Sequence, residues 1–374
     1  MRPNNPFLLS GYISPEFFCD RDEETKKISE ALYNGRNIML IAPRRMGKTG
    51  LIQNVFHNLN KKHKEIVTLY LDIYSTQKLS DFVKLFADTV LGRLDSSPEK
   101  TIKRLGKFIK SCQPSIEFDE ITGNPKITVN IAPAQEENTL KEIFEYLKSS
   151  EKRCYIAIDE FQQVTDYPEK GIEALLRSYI QFIPNINWIF SGSRQHIMRE
   201  IFMSAKRPFY QSSQSISIDS IDKAKYFSFA AGFFSKQGLV LNDELFYGLY
   251  DEFDGHTYYV QAVLNRIYGY NTEPNQQSVQ RAIIEIIREW EYSYQTLLSA
   301  SSPTSVRLLK AIAREKKVTY INAGEFISAH KLKAASSVNR ALKSLIDKEL
   351  VYHDKDGYSV YDRFMAIWLR SQSF

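Results

Sequence analysis

Short apolar runs alternate with amphipathic stretches through the first 220 residues of the chain. The runs are rich in β-branched and aromatic residues at consecutive positions, which favours strands buried on both faces of a parallel sheet. The stretches between them repeat apolar residues at the helical period. Predicted strands are Asn37–Ile41, Val67–Ile73, Cys154–Asp159, Asn187–Ser191 and, more weakly, Ser215–Ile218; predicted helices are Thr25–Tyr33, Thr49–Asn60, Leu79–Leu94 and Gly171–Phe182. This alternation predicts an α/β domain with a parallel-sheet core over residues 1–220.

A different pattern interrupts the alternation between the second and third predicted strands. Over Ser115–Ile131, apolar and polar residues alternate on both sides of a turn sequence, Gly123-Asn124-Pro125. A period of two on both sides of a turn predicts a β-hairpin, inserted into the domain at about residues 115–131.

The remaining residues show helical spacing with one exception near the end. Residues 221–300 predict an all-helical lid, with helices at Tyr226–Phe234, Leu245–Phe253, Tyr258–Ile267 and Val279–Leu298. Residues 301–374 predict helices at Val306–Ala313, Gly324–His330 and Ala335–Lys348, followed by a hairpin over 350–361. Three helices followed by a hairpin is the order of a winged helix-turn-helix domain.

The composition excludes several classes of protein. Of 374 residues, 43% are apolar, 25% charged and 13% aromatic, which excludes general disorder. No stretch of about 18 apolar residues predicts a membrane span, and the first 20 residues lack the apolar core of a secretory signal. Cys19, Cys112 and Cys154 are odd in number and lack metal-ligand spacing, so we expect no disulfide scaffold, no zinc ribbon and a cytoplasmic location.

Positive charge is concentrated in the last predicted domain. Residues 301–374 hold 13 Lys and Arg against 7 Asp and Glu, whereas the whole chain has a net charge of only +5. Arg340 and Lys343 share the polar face of the third predicted helix there, and Lys355 lies in the predicted turn of the hairpin. These three residues are the candidates for binding DNA.

Apolar residues at the C-terminus favour a different partner. A large apolar surface is predicted there from Phe364, Ile367 and Trp368. Such a surface favours docking of the domain on protein rather than on nucleic acid. Both interpretations remain open.

A phosphate-loop pattern follows the first predicted strand. The segment Ala42-Pro43-Arg44-Arg45-Met46-Gly47-Lys48-Thr49 fits G-x-x-x-x-G-K-[ST], except that Ala42 replaces the first glycine. Backbone N–H groups of such a loop surround phosphates, while the lysine reaches the β- and γ-phosphates and the threonine hydroxyl binds Mg²⁺. The predicted nucleotide-binding residues in this segment are Pro43, Arg44, Arg45, Met46, Gly47, Lys48, Thr49 and Gly50.

A pair of acids ends the third core strand. Tyr155–Ile158 is apolar and runs directly into Asp159 and Glu160. Combined with an upstream phosphate loop, this is the Walker B arrangement, in which the first acid orients the Mg²⁺ shell and the second polarises the attacking water. We therefore expect Asp159 to act with Thr49 at the metal, and Glu160 to be catalytic with Lys48.

The loop also carries a family resemblance. Pro43-Arg44-Arg45-x-Gly47-Lys48-Thr49 resembles the P-R-R-x-G-K-T signature of archaeal and bacterial ATP-binding proteins in the STAND group of P-loop NTPases, which is related to AAA+ ATPases. Phe18-Cys19-Asp20-Arg21-Asp22-x-Glu24 resembles their F-V-G-R-x-x-E segment near the adenine, with Asp20 in place of glycine. The resemblance implies a nucleotide-binding position for Arg21.

Further landmarks of that family follow along the chain. Ile189-Phe190-Ser191-Gly192-Ser193 resembles the sensor strand, which implies that Ser193 or Arg194 senses the γ-phosphate. Arg207 falls where the family has an arginine before its last core strand, which implies a catalytic role for Arg207 as for Ser193 and Arg194. Gly255-His256-Thr257-Tyr258-Tyr259 resembles the lid motif G-H-P-Y-Y and implies phosphate contact by His256. Segments 336–342 and 361–369 resemble the winged-helix end of the family.

The resemblance implies an ATP-binding switch protein with ATP or ADP and Mg²⁺ as cofactors. Slow hydrolysis would change the arrangement of core and lid and so the exposure of the winged helix. Two alternatives remain: a nucleic-acid-binding module in which ATP is structural, and a protein scaffold whose winged helix packs on its own core or on a second subunit. Self-association is compatible with each, and no membrane partner is expected.

Overall fold

The computed structural model describes residues 3–91, 93–94, 110–118, 125–132, 134–150, 152–354 and 356–372. The chain divides into two compact units, one formed by Ser10–Asp222 and the other by Met1–Leu9 together with Lys223–Phe374. The division into three domains at 220 and 300 stays a prediction. Within the described part of the chain, no helix combines the length and apolarity needed to cross a membrane.

The first unit has a parallel sheet at its centre. Its strands are β1 (Ile38–Ile41), β2 (Val67–Asp72), β3 (Cys112–Phe118), β4 (Pro125–Ile131), β5 (Cys154–Asp159), β6 (Ile186–Gly192) and β7 (Gln214–Ser217). Five of them form one sheet in the order β2-β5-β6-β1-β7, and every pair in it is parallel. The predicted α/β fold with a parallel-sheet core is confirmed.

Helices cover both faces of this sheet. They are α1 (Asp22–Tyr33), α2 (Lys48–Lys62), α3 (Leu79–Val90), α4 (Glu136–Lys148), α5 (Ile172–Ile180) and α6 (Gln195–Met203). Side chains alternate across a strand, so Ile38 and Leu40 of β1 pack with α1 and α2, while Met39 and Ile41 pack in the cluster that contains α3 to α6. Burial on both faces explains why these strands are apolar at consecutive positions.

The two remaining strands of the first unit form the inserted hairpin. β3 pairs antiparallel with β4, with Cys112 opposite Ile131 and Phe118 opposite Pro125. Val129 of β4 is buried in the cluster that contains α3. The predicted turn at Gly123-Asn124 lies outside the described residues.

The second unit is helical apart from one small sheet. Its elements are α7 (Lys223–Lys236), α8 (Asp243–Glu252), α9 (Thr257–Gly269), α10 (Gln276–Ser299), α11 (Pro303–Glu315), α12 (Gly324–Ala329), α13 (Ala335–Asp347), β8 (Val351–Asp354), β9 (Gly357–Val360) and α14 (Arg363–Ser371). Phe7 packs among the aromatic rings of this unit, 5.9 Å from Phe233 and 5.5 Å from Tyr268 between ring centroids. No periodicity in the sequence predicts that residues near the N-terminus join these helices.

The winged helix follows the predicted element order. β8 and β9 pair antiparallel, and Val318 adds a bridge to Tyr358 through two backbone hydrogen bonds of 2.9 Å. At Gly357, φ is +136° and a Cβ would stand 2.5 Å from the Val318 carbonyl oxygen, so the position requires glycine.

Candidate nucleotide-binding site

The candidate phosphate loop connects β1 to α2. Gly47 has φ +92°, and no heavy atom lies within 4 Å of where its Cβ would be. Arg45 also adopts a left-handed conformation, with φ +62°. The chain therefore turns sharply before α2 and leaves open space against the backbone at Gly47, as close approach of a phosphate requires.

Lys48 is the first residue of α2 and only 5% exposed. Its Nζ donates hydrogen bonds to the carbonyl oxygens of Ala42 at 3.1 Å and Pro43 at 3.3 Å. Burial lowers the pKa of the Lys48 ammonium, while Glu160 and Asp159 oppose that change. The loop thus encloses a cation whose hydrogen-bond partners are neutral carbonyls, an arrangement that an anionic ligand would complete.

Asp159 joins three elements at the carboxyl edge of the sheet. Its Oδ2 accepts hydrogen bonds from the Thr49 hydroxyl at 2.7 Å and from the Tyr70 hydroxyl at 2.8 Å, and its Oδ1 accepts one from the backbone N–H of Glu160 at 3.0 Å. The first bond connects residues 110 positions apart in the sequence. Tyr70 was missed by sequence reasoning, although a tyrosine within an apolar strand signals a hydroxyl that needs a partner.

Glu160 lies directly after β5 in a left-handed conformation, with φ +55°. Its Oε2 accepts hydrogen bonds from the Ser193 hydroxyl at 2.7 Å and from the Gln162 amide. Parallel strands β5 and β6 are neighbours, so their carboxyl ends bring Glu160 and Ser193 together. Gln162 is 1% exposed and was not among the predicted residues, because nothing in its spacing distinguishes it.

The two predicted arginines after β6 are bound to carboxylates. Arg194 contacts Asp166 at 2.5 Å. Arg207 contacts Glu173 at 2.5 Å and Glu200 at 3.5 Å. Each guanidinium therefore has acidic partners on helices outside the phosphate loop, and a nucleotide role for either one stays a prediction.

The other predicted residues of the first unit have varied surroundings. Arg21 is 5% exposed and donates to the Asp219 carbonyl oxygen at 2.6 Å and to Glu24 at 2.9 Å. Met46 is buried in the core beside α2, and the Arg44 guanidinium lies 5.6 Å from the centre of the Tyr74 ring. At Gly50, a Cβ would stand 3.1 Å from the Phe18 ring, so the ring approaches the first turn of α2 closely.

The predicted residues of the second unit lie on its helices. His256 is the N-cap residue of α9, with its ring 4.7 Å from that of Tyr259. Arg340 and Lys343 are exposed on α13, whose other face buries Val338 and Leu342. Lys355 lies outside the described residues.

These residues fit Mg²⁺ with a nucleotide better than they fit a metal alone. The described residues contain no group of three His, Cys, Asp or Glu side chains able to hold a metal. They do bring the Thr49 hydroxyl and the Asp159 carboxylate together beside the open loop, and Mg²⁺ binds through one or two such oxygens plus substrate phosphates. Desolvation, and repulsion from Asp159 and Glu160, raise the pKa of Asp72 at the same edge.

Comparison with solved structures confirms the fold. The chain is similar to the Walker-type ATPase of Pyrococcus abyssi, with a TM-score of 0.68 and 17% identity over 98% of this chain and 99% of the other. It is also similar to the ORC2 protein of Aeropyrum pernix in ADPNP-ADP complexes (TM-score 0.61, 14% identity, 97% and 95% covered). The ORC1 protein of Aeropyrum pernix in complex with DNA gives a TM-score of 0.55 at 11% identity, with 98% and 96% covered.

Comparison with protein families matches two segments of the chain. No curated protein matches it. Residues 292–371 match a probable winged helix domain. Residues 18–271 match the ATPase domain predominantly from Archaea, and the chain therefore belongs to that ATPase family.

Proposed function

We propose that this protein binds ATP with Mg²⁺ at the loop 42–49 and hydrolyses it slowly as a conformational switch of the STAND type. The observation that carries the proposal is the 2.7 Å hydrogen bond between Thr49 and Asp159. It unites the start of α2 with the acidic end of β5, beside the buried ammonium of Lys48. ATP binding, rather than simple anion binding, is supported by membership of an ATPase family.

Each residue has a distinct task in this proposal. Mg²⁺, when bound, would neutralise phosphate charge. Lys48 would place its ammonium against the β- and γ-phosphates, Thr49 would ligate the metal, and Asp159 would hold Thr49 and orient the metal shell. Glu160 would accept a hydrogen bond from the attacking water.

The surroundings of Glu160 support the proposal that turnover is slow. Its Oε2 already accepts hydrogen bonds from Ser193 and Gln162. A water molecule would have to compete with both donors for this oxygen, or use the other one. The carboxylate is therefore only partly available as a general base.

The coupled domain is the winged helix, and DNA is the second candidate ligand. Exposed Arg340 and Lys343 on α13 support a DNA role, since winged helices place such residues against phosphates and groove edges. The similar ORC1 protein was solved with DNA. Contact with another protein, a structural role for ATP, self-association and a cytoplasmic location remain alternatives or predictions to be tested.

The decisive experiment measures ATP binding and turnover by the purified full chain, with and without duplex DNA at two salt concentrations. Binding with slow turnover supports the switch; binding without any turnover favours structural ATP. DNA affinity that falls steeply with salt supports the second ligand. Absence of ATP binding in the presence of Mg²⁺ would refute the proposed function.

A further inference from the structure

Tyr70 lies beside the metal-binding edge because of the register between β2 and β5. In that register Tyr70 is opposite Ala157, and Asp72 is opposite Asp159. Ala157 is completely buried and has the smallest side chain that a Cβ allows, so the tyrosine ring has space beside it. The Tyr70 hydroxyl consequently reaches two residue pairs further along the same face of the sheet, to Asp159 Oδ2 at 2.8 Å.

The three donors to Asp159 come from three different elements. Thr49 lies in the first turn of α2, directly after the loop that would bind the nucleotide, and the Glu160 N–H belongs to the turn after β5. Tyr70 donates from strand β2, and its ring packs against the cluster of buried residues that contains α2. It therefore holds Oδ2 from the sheet, outside the loop and outside the acidic turn.

The hydroxyl of Tyr70 donates its proton to Asp159, because the oxygens of a carboxylate only accept hydrogen bonds. A hydrogen bond from a neutral donor to a carboxylate is stronger than one between two neutral groups.

We propose that Tyr70 is a positioning residue for Mg²⁺: its hydroxyl fixes the rotamer of Asp159, so that Asp159 and Thr49 present their oxygens to the metal in a constant arrangement. This inference rests on the proposed function. It concerns the metal and not the nucleotide, since Tyr70 has no place in the loop that would surround the phosphates. Loss of such an outer partner typically weakens metal affinity by about 10–100-fold.

The test compares Tyr70→Phe with Tyr167→Phe in the full chain. The control removes a hydroxyl that bonds to Thr76 at 2.5 Å, also in the buried core of the first unit. Binding of Mn²⁺, a paramagnetic substitute for Mg²⁺, is measured by electron paramagnetic resonance at saturating ATP. Binding of a fluorescent ATP analogue is measured separately in EDTA.

We expect Tyr70→Phe to weaken Mn²⁺ binding at least about tenfold, the lower end of the range for an outer partner, and to leave binding of the analogue in EDTA unchanged. Tyr167→Phe should change neither. The effect should disappear in an Asp159→Asn background, where no carboxylate remains to be held. The double variant, Tyr70→Phe with Asp159→Asn, therefore distinguishes a local effect on Asp159 from a general loss of stability. A thermal melt of each variant measures the stability directly.

Three results would overturn the inference. Tyr70→Phe could bind Mn²⁺ as wild type does, Tyr167→Phe could weaken it equally, or Tyr70→Phe could weaken the metal as much in the Asp159→Asn background as in wild type. Failure of the proposed function would give a different result, because the wild-type chain would then bind neither the fluorescent analogue in EDTA nor Mn²⁺ together with ATP.

Discussion

Replacing Lys48 by methionine should separate nucleotide binding from stability. Methionine keeps most of the apolar stem and removes the ammonium, which is 5% exposed and contacts the carbonyl oxygens of Ala42 and Pro43. Burial lowers the pKa of Lys48, so the folded chain binds this proton less tightly than the unfolded chain does. The charge therefore costs stability at neutral pH, and that cost disappears as the pH rises toward the unfolded pKa.

The magnitude on ATP binding follows from the lost charge-assisted contacts. Hydrogen bonds to charged groups contribute about 1.5–3 kcal/mol, which is about 10–100-fold in affinity. At an ATP concentration 100 times the wild-type dissociation constant, ligand binding stabilises the fold by about 2.7 kcal/mol. A variant that binds 100-fold more weakly would gain only about 0.4 kcal/mol at the same concentration.

The assay is a pair of thermal or urea melts with and without ATP and Mg²⁺, together with calorimetric titration of ATP. The matched control is Lys62→Met, since Lys62 is exposed in the last turn of the same helix α2. We expect Lys48→Met without ligand to be as stable as wild type or more so, and to lose the stabilisation by ATP. Unchanged ATP affinity, or a loss of stability without ligand of more than about 1 kcal/mol, would refute the reasoning.

Three other substitutions test other parts of the chain. Glu160→Gln should retain ATP and lower turnover by about 10²-fold or more, measured by phosphate release; equal turnover would remove Glu160 from catalysis. Gly192→Ala should lower the free energy of unfolding, measured in a urea melt, by about 1–3 kcal/mol, because a Cβ there would stand 2.6 Å from a buried methionine of α6. The control is Gly232→Ala, whose Cβ would meet no atom within 4 Å and should cost no stability. Replacing both Arg340 and Lys343 by Glu should weaken DNA binding at all sequences and flatten its salt dependence. A DNA affinity that depends neither on these substitutions nor on salt concentration would exclude α13 from DNA contact.

The sheet could be predicted because burial on both faces marks its strands. β5 has the predicted bounds, Cys154–Asp159. β1 and β2 differ from prediction by one residue at one end, and β6 and β7 by one residue at each end. Among the helices of the described residues, three were not predicted: α4, α6 and α14. α6 is short and follows the predicted sensor segment, and α14 lies in a stretch whose apolar residues were interpreted as a docking surface.

The candidate site could be predicted only where a motif fixes both type and spacing. Lys48, Thr49, Asp159 and Glu160 follow from the loop pattern and from the acidic end of a strand. Tyr70 depends on the register between β2 and β5, which the sequence of either strand alone does not determine. Long-range pairing, rather than local pattern, therefore decides which further side chains join the site.

The winged helix is attached to the preceding helices mainly by buried aromatic rings. Phe364 of α14 is 2% exposed, and its ring lies 5.2 Å from those of Phe253 and Tyr259. Around this cluster Arg370 contacts Glu252 at 2.6 Å. Burial of each aromatic ring contributes about 1.5–3 kcal/mol, whereas a partly exposed ion pair contributes about 1 kcal/mol or less.

The same junction includes the residues next to the predicted lid histidine. Arg363 contacts Asp254 at 2.9 Å and donates to the Tyr352 hydroxyl of β8 at 2.7 Å, so one guanidinium connects the segment before His256 to the wing. Separating the winged helix from α8 and α9 would expose the aromatic cluster and break these contacts together, at a cost of several kcal/mol. These contacts explain why the winged helix and the helices before it fall into one compact unit, Lys223–Phe374 together with Met1–Leu9.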